Sequence, residues 1–207
     1  GGLTKKEDLP RLEESLSQVG REWFLYHREP KEGEDVPINL ENNSWVNNFS
    51  VLTHLYGLPN YTEVDPTPSM AVFFFFFFGM CLGDVIYGLV LALFGFITAA
   101  YLDISDSTKL FLRMLAWGGV GAILAGIFTG SWLGDLFDYL PPSLSFLTNL
   151  KNSLAVVDPL NDPLTMLIFS LGVGIVQILV GIMLAVVKEW KRGNYAVAIM
   201  DHLSWFV

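Results

Sequence analysis

The sequence predicts an all-α, multi-span membrane protein. Its plan is a polar N-terminal segment, a short helical hairpin, two full transmembrane helices and the start of another. Three observations carry this. Hydrophobic residues make up 52% of the 207 positions while charged residues make up only 16%, against about 25% in an ordinary soluble domain. The charges are uneven: residues 1–66 hold twelve acidic and six basic side chains, and residues 67–207 hold nine and six over more than twice the length. Long apolar runs then follow one another beyond residue 69. The formal charge of −9 excludes nucleic acid as a partner, which calls for a dense basic footprint.

Taken in chain order, residues 4–27 read as helix, with Leu9, Leu12, Leu16, Val19, Trp23 and Leu25 at three-to-four spacing between charged positions. A loop dense in Pro, Gly and acid follows from Glu29 to Pro37. Val46 to Tyr56 reads as a short helix closed by Gly57 and Pro59. Pro66 and Pro68 then impose an extended entry. Residues 1–66 are expected to be the C-terminal end and linker of a cytoplasmic N-terminal domain, and residues 67–207 the first part of a transmembrane domain.

Met70 to Leu102 is apolar apart from Asp84 and Thr98. As one helix it would measure about 50 Å at 1.5 Å per residue, against a hydrocarbon core of about 30 Å. Accommodating it would need a tilt beyond the usual range of about 0–40°. Gly79, Gly83, Asp84 and Gly88 also interrupt its middle. A tight hairpin, 70–82 and 85–102 meeting near Gly83-Asp84, is therefore favoured over a single long span. Leu110–Leu133 and Leu164–Val187 are further spans of the right length, joined by a Pro- and Asp-containing loop, and another begins at about 195.

Lys188, Lys191 and Arg192 after the last complete span place that end in the cytoplasm by the positive-inside rule. Counting back, a hairpin of two crossings leaves the N-terminal part cytoplasmic as well. The chain carries no initiator Met and stops inside an apolar stretch at Trp205-Phe206-Val207, so an internal piece of a longer protein is expected.

Few residues offer chemistry. Asp84 is the one carboxylate deep in an apolar run, where an acid costs about 2.5–3.5 kcal/mol on insertion scales. It reads either as a proton-relay carboxylate or as the cap of the second hairpin helix; the flanking Gly83 and Gly88 favour the cap. Gly118, Ala122, Gly126, Gly130 and Gly134 recur every four residues, the pattern that lets helix backbones approach in lipid. Gln177, with Gly181 and Ala185, forms a shorter stripe, and its amide must face protein or water; interhelical bonding is favoured over a place in a proton path. Cys81 reads as a small core residue, and Phe73–Phe78 as a packing and lipid-facing surface. His27, His54 and His202 share no ligand spacing, so no metal is assigned, and no cofactor. No phosphate loop or HExxH motif is present, so the chain is not expected to be an enzyme by itself.

Motifs sharpen this. Asn42-Asn43-Ser44-Trp45, Leu55-Tyr56-Gly57-Leu58-Pro59-Asn60-Tyr61, Asp65-Pro66-Thr67-Pro68 and Gly83-Asp84-Val85-Ile86-Tyr87-Gly88 occur in order. Later come Ala125-Gly126-Ile127-Phe128-Thr129-Gly130-Ser131-Trp132-Leu133-Gly134-Asp135, Asp158-Pro159-Leu160-Asn161-Asp162-Pro163 and Ser170–Gln177 with Gly181. Together, over about residues 40–190, they resemble the large membrane subunit of V-type and A-type ATPases, subunit a in eukaryotes and subunit I in prokaryotes. Ile86 departs from the small residue usual at its position. The short loops point to a prokaryotic cell membrane.

The resemblance implies a stator subunit of a rotary ATPase, supporting proton or sodium translocation. It implies as partners the rotor ring of proteolipid subunits, the peripheral stalks and the central-stalk cap subunit. It also implies an eight-helix membrane domain opening with a short hairpin. The family's essential Arg lies on a seventh helix; Arg113 and Arg192 sit on or near other helices, and neither is matched to it. The role expected here is scaffolding. Half of a secondary transporter, with its site at the broken helix, and a non-transporting assembly protein are the alternatives.

Overall fold

The computed structural model describes residues 8–18, 24–26, 28, 40–60, 63–134, 136–139, 141, 144–157, 159, 162–191, 193, 195 and 200. Among these the fold is all-helical: eight α-helices, a 3-10 turn at Leu136–Tyr139 and no strand. Two compact units form, Gly1–Asn39 and Leu40–Val207. The polar segment from Leu40 therefore packs with the apolar helices that follow it, across the compositional boundary at residue 66.

In the first unit, α1 (Leu9–Ser17) carries Leu9, Leu12 and Leu16 on one face and Pro10 in its first turn, where a missing N–H is harmless. The helix is shorter than the periodicity suggested: residues 24–26 carry no regular structure. His27 and residues 19–23 lie outside the described residues, as does His202.

The second unit opens with α2 (Ser44–Asn47) and α3 (Ser50–Tyr56). The expected single helix here is two. Asn43 caps α2 by accepting the Val46 N–H at 2.9 Å, and Gly57, at φ +112°, ends α3. This pair clamps onto the start of α4 (Thr67–Leu82). Phe49 is fully buried, its ring 5.0 Å from Trp45 and 5.8 Å from Phe74. Trp45 in turn meets Trp117 edge-on at 6.1 Å. Beside this aromatic cluster runs a directed hydrogen-bond chain: the Thr53 hydroxyl donates to Thr67 Oγ1 at 2.7 Å, and Thr67 donates to Asp65. Asp65 also accepts the Thr67 N–H at 2.8 Å and the Asn42 amide at 2.6 Å. Thr53 and Thr67 are buried, so this closure is what makes their burial tolerable.

α4 and α5 (Val85–Tyr101) are separated by Gly83 and Asp84 alone. At 16 and 17 residues they measure about 24 and 26 Å. The two arms meet mainly at their turn; each packs along α6 (Asp106–Thr129) instead. The hairpin thus straddles a third helix rather than closing on itself. α5 runs antiparallel to α6, with Gly88 against Gly119 and Gly95 against Leu112. α4 packs with Gly79 against Gly121 and Phe78 against Gly118. The Phe run divides accordingly: Phe74, Phe75 and Phe78 pack inward, and Phe76 is exposed. Cys81 is exposed, not core, because that face of α4 points away from α6.

α6 spans 106–129 rather than 110–133. Ser105 caps its start by accepting the Thr108 N–H at 3.4 Å, and Gly130 stops it in the left-handed region at φ +70°. The loop beyond contains α7 (Ser145–Leu154), and the Val156 N–H donates back to Phe128 O at 2.9 Å. α8 (Pro163–Lys191) runs a turn past the expected end and has no buried residue. Phe169 meets Phe128 at 6.3 Å near its start, and Lys188 Nζ lies 3.0 Å from Glu63 Oε1 near its end. α6 and α8 are long and apolar enough to cross a membrane; α4 and α5 are shorter apolar helices. The span expected from about 195 lies largely outside the described residues.

Two outcomes follow. Gly119→Ala, whose Cβ would stand 2.7 Å from Gly88 O, should destabilise the protein by about 1–3 kcal/mol in micelle unfolding followed by circular dichroism. Gly174→Ala, with nothing within 4 Å, should be neutral or slightly stabilising. Equal effects would show that backbone contact is not what limits the seam. The second outcome concerns pH. Burial pushes the Glu63 carboxyl up, but hydrogen bonds from Lys188 and Asn60 outweigh this and hold it below the ordinary glutamate value. A depressed acid stabilises above its unfolded pKa, and that contribution is lost as pH falls through the folded value, below the ordinary glutamate range. Spin labels at Tyr56→Cys and Trp190→Cys, in a Cys81→Ala background, should separate in that window and stay fixed from pH 6 to 8.

Candidate functional site

The hairpin tip is built by two residues with opposite backbone demands. Gly83 takes φ +48°, a conformation that an L side chain rarely adopts, and its N–H closes α4 on Gly79 O at 2.7 Å. Asp84 is extended and caps α5. Its Oδ1 accepts the N–H groups of Ile86 at 2.9 Å and Tyr87 at 3.1 Å. Its Oδ2 accepts the Ser131 hydroxyl at 3.0 Å and the Gly134 N–H at 2.9 Å. The residue is 4% exposed, and both oxygens carry two donors each.

One carboxylate thus joins three things: the start of α5, the end of α6 and the loop beyond. The backbone reinforces it, since the Val85 N–H donates to Ser131 O at 3.0 Å and Ser131 N–H to Gly126 O at 3.0 Å. A Cβ on Gly126 would lie 2.5 Å from Val85 N, so a side chain there would push the tip off α6. Leu133 and Gly134, at φ +56° and +60°, make consecutive left-handed turns that aim the Gly134 N–H at the carboxylate. For Leu133 that conformation costs about 1–2 kcal/mol, which the contacts around it must offset. Beside it, the buried Trp132 Nε1 has no hydrogen-bond partner in the described structure.

The other sequence-predicted residues fall in different places. Tyr87 contributes its backbone N–H, and its side chain is exposed; Gly88 is buried against Gly119. Of the small-residue stripe, Gly118, Ala122 and Gly126 lie in the α4–α6 and α5–α6 seams. Gly130 caps the helix, and Gly134 lies beyond it with nothing within 4 Å of a Cβ. Gln177 stands on the exposed face of α8 and is not among the partners of Asp84. The period-four reading missed Gly79, Gly95, Gly119 and Gly121, where an added Cβ would stand 2.6–2.7 Å from the nearest opposing atom. The doublets Gly118-Gly119 and Gly121-Ala122 were the available signal, because adjacent small residues serve two faces of one helix.

The arrangement is that of a positioning group at the level where α6 ends. Asp84→Asn keeps an acceptor for the α5 N–H groups but sets an NH2 donor against the Gly134 N–H, and should cost about 1–3 kcal/mol. Asp84→Ala should cost about 1 kcal/mol more, through the lost cap. Denaturant unfolding in micelles checks both; two unchanged midpoints would remove the anchoring role.

Comparison with known proteins supplies the family. The model of the V-type ATPase 116kDa subunit family matches residues 3–129. The chain is 31% identical over 212 residues to the A-type ATP synthase subunit I of Thermococcus kodakarensis, covering 100% of this chain and 32% of that protein. It is 31% identical over 206 residues to the A-type ATP synthase subunit I of Pyrococcus horikoshii, covering 98% and 30%. To the V-type ATP synthase subunit I of Borreliella burgdorferi it is 29% identical over 180 residues, covering 83% and 28%. The chain therefore spans about a third of the length of the curated relatives it matches. With more than half its length under the family model, this chain belongs to the V-type ATPase 116kDa subunit family.

Proposed function

We propose that this chain is part of the membrane stator of a rotary V/A-type ATPase, and that its share is to brace the ion path rather than to conduct. The observation that carries the reading is the fully bonded Asp84. A relay carboxylate must release its partners to take and pass a proton, whereas this one joins three backbone segments through four donors. The glycine seams act in the same sense, because backbone contact in lipid favours a rigid unit. A rotary machine requires such a unit: torque on a rotor is useful only against a stator that does not yield.

In this reading α4, α5, α6 and α8 are membrane-embedded. The hairpin supplies two crossings, so the N-terminal part and Lys188 face the cytoplasm of a prokaryotic cell. The partners are the proteolipid rotor ring, the peripheral stalks and the central-stalk cap subunit. The coupled flow is of protons or sodium, and the chain itself catalyses no ATP chemistry. Gln177 is assigned to helix–helix bonding.

Inverted membrane vesicles containing the assembled complex test this through ATP-driven ion uptake. Gly88→Leu, which would drive a side chain into Gly119 O, should reduce both subunit incorporation and uptake at least tenfold. Asp84→Asn should retain more than half of the uptake per assembled complex. If Asp84→Asn instead abolishes uptake while the complex assembles and hydrolyses ATP normally, the carboxylate is a relay and the bracing role is wrong.

A further inference from the structure

Residues 42–62 carry no Asp, Glu, Lys or Arg, and all the charges of residues 1–66 lie outside this run. Its helices, α2 and α3, pack at an unexpected level. Val46 and Phe49 form one buried cluster with Ala71 of α4 and Met114 of α6, and Trp45 meets Trp117. Met114 and Trp117 stand about 12 and 16.5 Å along α6 from its start at Asp106. Even at a tilt of about 40°, these positions remain about 9 and 13 Å below that start.

Helix α5 indicates where the bilayer ends. It runs antiparallel to α6 with Gly95 facing Leu112, and its last residues, Phe96 to Tyr101, continue back toward the start of α6 without a charged side chain. Asp103 and Asp106 follow in the connecting turn and the first turn of α6. The membrane surface therefore falls at the α5–α6 turn, not at Trp117. Arg113, exposed on α6 near the level of Met114, has an apolar stem long enough to carry its guanidinium toward the headgroups.

Polar groups at such a depth must be satisfied within the protein, and α2 and α3 meet that demand. The break between them is bridged by the Asn48 N–H to Trp45 O at 3.2 Å and the Phe49 N–H to Val46 O at 2.9 Å. The Asn48 amide donates to Ser44 O at 2.8 Å and Trp45 O at 3.1 Å. The Asn43 side chain takes the Val46 N–H, and the Thr53 hydroxyl is closed on Thr67. Asn43, Ser44 and Asn47 remain exposed on α2; at that depth they meet water or protein rather than acyl chains.

We propose that α2 and α3 form a re-entrant element, inserted into the leaflet in which α6 begins, and are not part of a cytoplasmic linker. α4 and α6 are then gripped at bilayer depth instead of at the membrane surface. The proposal rests on the reading of α5 and α6 as membrane-embedded.

The test is a depth measurement that acts through space, whichever medium covers the site. Asn47→Cys, Asp103→Cys and Ile97→Cys are each made in the full-length protein freed of other cysteines, labelled with a dansyl-type donor and reconstituted in phosphatidylcholine liposomes. Energy transfer is read to acceptor lipids carrying their dye on the headgroup or at the end of an acyl chain. The ratio of acyl-end to headgroup transfer at Asn47→Cys should exceed that at Asp103→Cys at least 1.5-fold and match or exceed that at Ile97→Cys. Ser44→Cys reports the same level where Asn47→Cys fails to reconstitute. A smaller ratio at both α2 positions, with Ile97→Cys still above Asp103→Cys, would overturn the proposal alone. A ratio at Ile97→Cys no higher than at Asp103→Cys would overturn the membrane reading of α5 beneath it.

Discussion

Helix α6 can be approached on two sides at once because both of those sides lack side chains at the points of contact. Gly121 accepts α4 through Gly79 and Phe75 O, while Gly119 and Gly126 accept α5 through Gly88 and Val85. In a membrane there is no hydrophobic gain in turning apolar side chains away from lipid, so helices associate through dispersion and polar contacts. Dispersion falls steeply with separation, and a gap of even 0.5–1 Å forfeits about a quarter to a half of each contact. The packing of α4 and α5 on α6 follows from holding that distance. The arms of the hairpin splay around α6, and the residues that fill the outer surface, such as Leu93, Phe94 and Leu124, remain exposed.

Glycine seams allow close packing but specify register poorly, since one glycine resembles the next. Register is set by the polar closures at the two ends. At the tip, Asp84 binds atoms from residues 47 and 50 positions later in the chain, and sliding α5 along α6 would break both bonds. At the other end, Trp45, Phe49 and Trp117 interlock with Phe74 and Phe96, while the Thr53–Thr67–Asp65 chain fixes where α4 begins. The apolar middle is slippery and the ends are keyed.

α8 is built on another principle. Among the described residues it has no glycine seam with its neighbours and no buried residue, and its contacts with other helices and loops include Phe169–Phe128 near its start and Lys188–Glu63 near its end. The ion pair is the more consequential contact, because Glu63 lies in the segment that leads into α4. Partly exposed pairs are ordinarily worth about 0–1 kcal/mol. Orientation of Glu63 by Asn60 lowers the entropy lost in forming this one.

The helical class and the break at Gly83-Asp84 were legible in the sequence, because length against bilayer thickness and the Gly–Asp pair are local properties. So was the capping role of Asp84 toward α5, which involves only its next three residues. The family resemblance read from residues 40–190 agrees with the family now shown. Other features belonged to tertiary structure alone. The partner of each small residue on α6 depends on helix rotation, so a period-four count took in Gly134, which has nothing within 4 Å of a Cβ, and passed over Gly119 and Gly121. The second oxygen of Asp84 reaches Ser131 and Gly134, a pairing that no local pattern encodes. The straddled hairpin, the membership of residues 40–66 in the apolar unit and the exposure of Cys81 arise from which faces meet. Composition and periodicity state how apolar a helix is and where it ends; only the assembled backbone decides which of its sides another helix can touch.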